Sequence, residues 1–465
     1  MSKKSLDMGS SKTFPNVIHL MIPAMISQLI TVLYNIVDRI YIGNLPSNGE
    51  ISLIGAGVAS PITTLITSFA YLSVLGATPL FSMALGQKRE DEAKKVLFHS
   101  FVMVLALGAL ITALGYILLR PMLFAFGASE ESYPYAREYM IYFLIGVIPA
   151  YLSIFFSQFL IGQGRSMQAM ATSLISASLN IALDPLFMYA CNLGIKGAAI
   201  ATSLSWGVSG LLGLFFLLRA PIRISPCRFS FAKAGQITKL GLSPFIILAT
   251  DSVILIALNA SLQHFGGDNG DFLIESATIV NAFFSLITGP LLGISSGTQA
   301  LLAYLYGARK GELVKKAELQ ITLCGLVFTA VCFALSFFLA EPFARLFVSF
   351  SPGYQNADQV ISSSAKYIRW YMYPIVLLTF QYTLVDGLTG IGQAKYSIWL
   401  SLNRKCVLLL PLTFLLPLCN GNAELAFLAE PIADAASSLV SLLVVSILLP
   451  RILKRQSEER KEIIT

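Results

Sequence analysis

Apolar runs of 18 or more residues recur from one end of this chain to the other. Each is long enough to cross the ~30 Å hydrocarbon core of a bilayer as a helix. Only 12% of the 465 residues are charged, against about 25% in soluble domains, so a water-soluble enzyme is excluded and a multi-pass membrane protein is expected. Reading the apolar runs and their breakers gives twelve helices, at residues 16–42, 51–83, 95–119, 135–161, 166–190, 195–218, 238–265, 272–305, 316–341, 360–389, 394–419 and 424–450. The polar stretch Met1 to Phe14 precedes a run too long for a signal-peptide core, so the first helix is read as retained.

Twelve crossings put both termini on one side. The tails and loops of that side hold 23 of the 32 Lys and Arg residues, including Lys3, Lys4 and Lys12, and the positive-inside rule makes it the cytoplasmic side of a plasma membrane. Topology thereby accounts for the net charge of +7, and nucleic acid is not an expected partner because the basic residues form short clusters between apolar runs rather than one face. The six cysteines are scattered without a CxxC pair, and His19, His99 and His264 lie far apart, which gives no metal cluster. Walker, HExxH and GxSxG motifs are absent, so neither ATP-driven transport nor hydrolysis has an engine and no cofactor is expected.

An internal repeat sets the architecture. Gly76 to Lys95 aligns without gaps on Gly297 to Lys316 at an offset of 221, and the same offset carries Pro23 to Pro244; farther on the offset becomes 228 and carries Cys191 to Cys419. The expected organisation is an N-tail (1–15), an N-lobe of six helices (16–220), a basic linker (221–237), a C-lobe of six helices (238–452) and a C-tail (453–465). Six is an even number of crossings, so the repeats are parallel and a binding site is expected between them.

A charged side chain at mid-bilayer costs about 2.5–3.5 kcal/mol on insertion scales, which makes intramembrane acids functional candidates. In the first helix Gln28, Thr31, Asn35 and Asp38 share a face, and in the fifth Ser173, Ser176, Asn180 and Asp184 do, opposite Thr202, Ser205 and Ser209 of the sixth. Two carboxylates, an amide and a hydroxyl can bind a proton or give oxygen ligands to Na⁺; the structural alternative is an ion pair of Asp38 with Arg39 or another arginine. Repeat-related positions do not reproduce the set, because Asp38 maps to Asn259, Asn180 to Leu408 and Asp184 to Leu412. In the second half Asp251, Glu275, Asp386 and Glu430 are candidates for a second cation site, while Glu430 with Asp434 beside Pro431 also reads as a capped kink.

The strings "VLYNIVDRIYIG", "LNIALDPLFMY", "GIKGAAIATSLSW", "GIGQAK" and "LAEPIAD" together resemble the MATE (multidrug and toxic compound extrusion) transporters over nearly the whole chain. The resemblance implies an all-α membrane fold of two six-helix lobes in a V, alternating access, and no enzymatic activity. Asp38, Asn180, Asp184 and Thr202 match the cation site of its DinF-like branch, which implies export of lipophilic cations against H⁺ or Na⁺ by a monomer. The expected cavity is lined by Gln28, Thr31, Tyr34, Asn35, Ser176 and Ser205. A lipid-linked oligosaccharide flippase of the same superfamily is the alternative, kept open by Arg39, Arg369 and Arg404.

Overall fold

The computed structural model describes residues 7–46, 49–350 and 357–464; residues 1–6 of the expected N-tail, with Lys3 and Lys4, lie outside them. The first half comprises α1 (Thr13–Gly43), α2 (Gly49–Gly86), α3 (Glu90–Ile117), the short α4 (Leu119–Ala125), α5 (Tyr133–Ile145), α6 (Val147–Gly162), α7 (Ser166–Pro185) and α8 (Ile195–Leu218). The second comprises α9 (Phe231–Gly266), α10 (Gly270–Gly307), α11 (Gly311–Phe350), α12 (Ala357–Met372), α13 (Ile375–Gly390), α14 (Ala394–Leu402), α15 (Leu410–Asn420) and α16 (Ala429–Ile464). A π-helical stretch, Leu186–Ala190, follows α7, and another, Asn403–Leu409, joins α14 to α15. Among the described residues ten helices are long and apolar enough to cross a membrane, and α5 with α6 makes an eleventh span bent by 50°. The expected single helix over 360–389 is broken into α12 and α13, of which α13 is a shorter apolar helix.

Both broken spans have a proline as their cause. Pro149 cannot donate to the carbonyl of Ile145, nor Pro374 to that of Trp370, and α5 and α12 end within two residues of those carbonyls. The two prolines are 225 residues apart, between the two repeat offsets, so the fourth span of each half is broken at an equivalent place. The outer faces stay apolar, as lipid contact requires: Leu204, Leu211, Phe215 and Leu218 form an exposed stripe along α8.

The halves join through their first two helices, with α1 packed on α10 and α2 on α9. Small residues allow the backbones to touch. A methyl group added at Gly86 would lie 2.0 Å from the carbonyl oxygen of Tyr304, and one at its repeat partner Gly307 would lie 2.2 Å from that of Met83. The seam therefore has the approximate two-fold symmetry that a parallel repeat demands. Each half also lends its first helix to the other's core: Val17, Leu20 and Met21 of α1 pack among Leu291, Ile294 and Leu301, and Ile237 of α9 packs with residues of α2 and α3.

Both termini lie at this joined end. Lys310 donates to the carbonyl of Gly9, and Gln456 Nε2 donates to that of Tyr306 at 2.8 Å. At the other end the lobes part, leaving between them a cavity of about 910 Å³ walled by α1, α2, α7 and α8 on one side and α9, α10 and residues around Arg404 on the other. Its exposed liners Asn35, Arg39, Thr278 and Ser285 all lie in the halves of their helices remote from the termini.

Candidate functional site

The cavity takes its polarity from the stripes of α1 and α10. Gln28, Thr31, Tyr34, Asn35 and Asp38 line it, as do Ser176 and Thr202, and Asn259, Thr278, Asn281, Ser285 and Thr288 face them from the other lobe. Ser205 does not line it. It is buried in the contact of α7 with α8, where Ser176 Oγ donates to its carbonyl oxygen at 3.1 Å. Tyr71, Tyr139, Trp206 and Tyr382 add aromatic wall that periodicity alone did not single out.

Behind the N-lobe wall, α7 and α8 hold three of the expected site residues together. Asn180 Nδ2 donates to Asp184 Oδ1 and to Thr202 Oγ1, both at 3.2 Å. Asp184 is wholly buried and Asn180 nearly so. Asp38 faces this group from α1, close enough for its carboxylate to act electrostatically on that of Asp184. After these bonds, Asp38 Oδ1, Asn180 Oδ1 and Asp184 Oδ2 are buried and unpartnered. Uncompensated buried acceptors are costly, and three on neighbouring side chains suit a proton or a small hard cation. Among the described residues Arg39 forms no ion pair with them; its Nη2 donates to Ser60 Oγ at 3.0 Å, and its charge acts on the Asp38 carboxylate from a distance.

The C-lobe acids are arranged differently. The π-helical stretch presents Arg404 and Lys405 side by side, and these bases take up the carboxylates. Lys405 Nζ lies 2.5 Å from Asp251 Oδ1 and 4.0 Å from Glu430 Oε1, while Arg404 Nε lies 2.6 Å from Asp434 Oδ1 and its Nη2 3.4 Å from Glu430 Oε1. Three acids thus share two cations on one wall of the cavity, and the acid pair of α16 is an ion-pair partner rather than only a helix cap. The four candidates for a second cation site are not brought together as one group. Asp386 stands on α13, where it accepts from Ser295 Oγ of α10, and Glu275 sits near the start of α10 outside the cavity lining. Beside Asp386, Glu318 of α11 is buried against Gly387 with its Oε1 unpartnered. Sequence reading passed over Glu318 because it lies two residues after Lys316 and looks like an interfacial charge.

The MatE family model matches residues 23–186 and again 245–415, one copy in each lobe. The chain belongs to the MatE family. It is accordingly a membrane transporter and not an enzyme. Among curated relatives, the multidrug export protein MepA of Staphylococcus aureus (strain bovine RF122 / ET3-1) is 24% identical over 96% of this chain and 97% of its own length. An FAD transporter of Shewanella oneidensis is 24% identical over 90% of this chain and 91% of its own. Two solved structures superpose almost throughout: a MATE protein in complex with MaL6 (TM-score 0.90, 23% identity, 98% of this chain and 100% of that one) and an outward-facing multidrug resistance MATE transporter of the MOP superfamily (TM-score 0.89, 23% identity, the same coverage). The MatE fold of two repeated lobes is therefore the fold of this chain.

Proposed function

We propose that this MatE protein is a secondary antiporter that exports amphipathic organic cations in exchange for H⁺ or Na⁺, as a monomer in the plasma membrane with both termini in the cytoplasm. The observation that carries the reading is the contrast of charge between the cavity walls: Asp251, Glu430 and Asp434 are matched by Arg404 and Lys405, whereas among the described residues Asp38 and Asp184 form no ion pair. A driving ion bound at Asp38, Asn180, Asp184 and Thr202 would neutralise the charge that draws a drug cation, and the aromatic wall offers cation–π and apolar contact. The relation to MepA supports multidrug export, and the cavity then faces outward.

A flippase for lipid-linked oligosaccharides would call for free basic residues toward a phosphate headgroup. Of the bases lining the cavity, Arg404 and Lys405 are already paired and, among the described residues, Arg39 alone is not, which is less than a headgroup site calls for and speaks for the drug reading. The test is uptake of an ethidium-like dye by proteoliposomes under separately imposed proton and sodium gradients. Dye movement driven by at least one gradient is expected; dye that follows neither, with lipid-linked sugar translocated instead, refutes the proposal.

A further inference from the structure

Most acids within the bundle are accounted for by the N-lobe site or the ion-paired wall. Glu318 and Asp386 are not. Glu318 lies seven residues into α11 and Asp386 four residues before the end of α13, so both sit roughly 6–11 Å along their helices from the joined end of the lobes. Neither lines the central cavity. The Glu318 carboxylate rests on the backbone of Gly387, where an added methyl group would lie 2.6 Å from its Oε2. That close approach, which only glycine permits, brings the carboxylate to the residue next to Asp386.

The surroundings offer hydroxyls and amides but no charge to compensate. From α10, Ser295 Oγ donates to Asp386 Oδ2 and Gln299 Nε2 donates to its backbone carbonyl at 3.2 Å. One turn farther along α11 and α13, Thr322 and Thr383 hydrogen-bond to each other. On another face of α11, Thr13 of α1 donates to Gln320, and Ser441 of α16 meets Gln381 higher on α13. Among the described residues no lysine, arginine or histidine forms an ion pair with either acid. Asp386 is the charged neighbour that acts on Glu318.

We infer that Glu318 and Asp386 form a proton-binding site in the C-lobe, distinct from the N-lobe cation site, that holds one proton between the two carboxyls while the termini end is closed. Two adjacent carboxylates, Glu318 buried and Asp386 half-buried, repel each other when no cation is paired with them, and a shared proton removes that repulsion. Ser295 ties the pair to α10, whose next residue, Ser296, lines the cavity, and α10 is one of the helices of the seam. Loss of the proton would set like charges on α11 and α13 beside α10 and favour parting of the lobes at the termini end. The site itself stands on geometry alone; its contribution to exchange rests on the antiport reading above.

Infrared spectroscopy of the full-length protein in detergent at neutral pH tests the site. The C=O absorption of a protonated carboxyl should be present in the parent, should persist when Asp38→Asn and Asp184→Asn are both introduced, and should be lost in Glu318→Gln. In proteoliposomes Glu318→Gln should bind dye as the parent does while exchanging one proton fewer per dye. A folded Glu318→Gln with an unchanged absorption overturns the inference, whatever the N-lobe variants do. Should that variant not fold, Ser295→Ala serves instead: removing the hydroxyl that donates to Asp386 should shift the band, and an unmoved band places the proton elsewhere.

Discussion

The ion-paired wall of the C-lobe lends itself to a double-mutant cycle on Arg404 and Asp434. Their side chains are 6% and 1% exposed and 2.6 Å apart, so solvent screens the pair little. In Arg404→Met, Asp434 keeps a buried carboxylate whose Oδ2 already has no partner. In Asp434→Leu, Arg404 retains its 3.4 Å contact with Glu430 and its place over the Tyr382 ring. Breaking a buried pair from one side costs about 3–5 kcal/mol, because the remaining charge is stranded, while replacing both partners by apolar groups is near neutral. Each single variant should therefore lose about 3–5 kcal/mol and the double variant little, so the coupling energy, the double loss minus the two single losses, should be about 6–10 kcal/mol in magnitude. Reversible unfolding in mixed detergent micelles, followed by tryptophan fluorescence, measures all four proteins. Glu430 keeps Lys405 at 4.0 Å throughout, so the cycle isolates the Arg404–Asp434 pair. Additive single effects would show that the pair does not hold the wall together, and with it would fall the reason for assigning coupling to the other lobe.

Asp38→Asn and Asp184→Asn should express and fold yet lose gradient-driven export; undiminished export by both would sink the assignment of the driving ion to the N-lobe. Dye affinity of the parent should fall as pH is lowered from about 8 to 6, since protonating a carboxylate removes the charge that attracts a cation, or as Na⁺ is added at fixed pH. By linkage the bound dye must weaken the ion equally, and an equilibrium titration of Asp38→Asn should show neither dependence. Gly86→Ala should force α2 from α10 at the termini end, because its methyl would meet the Tyr304 carbonyl oxygen at 2.0 Å; a cysteine placed nearby should become more reactive to a water-soluble thiol reagent, and unchanged labelling would mean that the seam gives way without opening.

Helix number, the parallel repeat and the acid-bearing faces were legible because each rests on spacing along the chain. The offset of 221 already paired Gly86 with Gly307, though that both glycines serve one contact emerges only in three dimensions. Proline was the ambiguous signal. Pro23, Pro61, Pro244 and Pro290 stay inside long helices, whereas Pro149 and Pro374 break theirs; at Pro23 the freed carbonyl of His19 accepts from Ser166 Oγ of α7 at 2.7 Å, a support from another helix that local sequence does not encode. The N-lobe site was readable since Asn180 and Asp184 share a helix face. The fate of Asp251, Glu430 and Asp434 was not, because their partners Arg404 and Lys405 are distant from Asp251 in sequence and sit in a π-helical stretch that departs from 3.6-residue spacing.

The lending of each first helix to the opposite core has a consequence for what the two halves are free to become. Such an exchange is the geometry of a two-fold homodimer, in which every contact on the axis is made twice by the same residues. In a dimer of identical halves, a residue placed on one wall of the central cavity would appear on the other. Here the halves are joined in one chain, so only the seam, with Gly86 and Gly307, must stay self-complementary. Away from it the offset of 228 sets Arg404 opposite Ser176 and Lys405 opposite Ala177. One polypeptide can thus keep a wall of bare acids facing a wall that carries its own cations, a polarity that no symmetric pair of half-proteins could have.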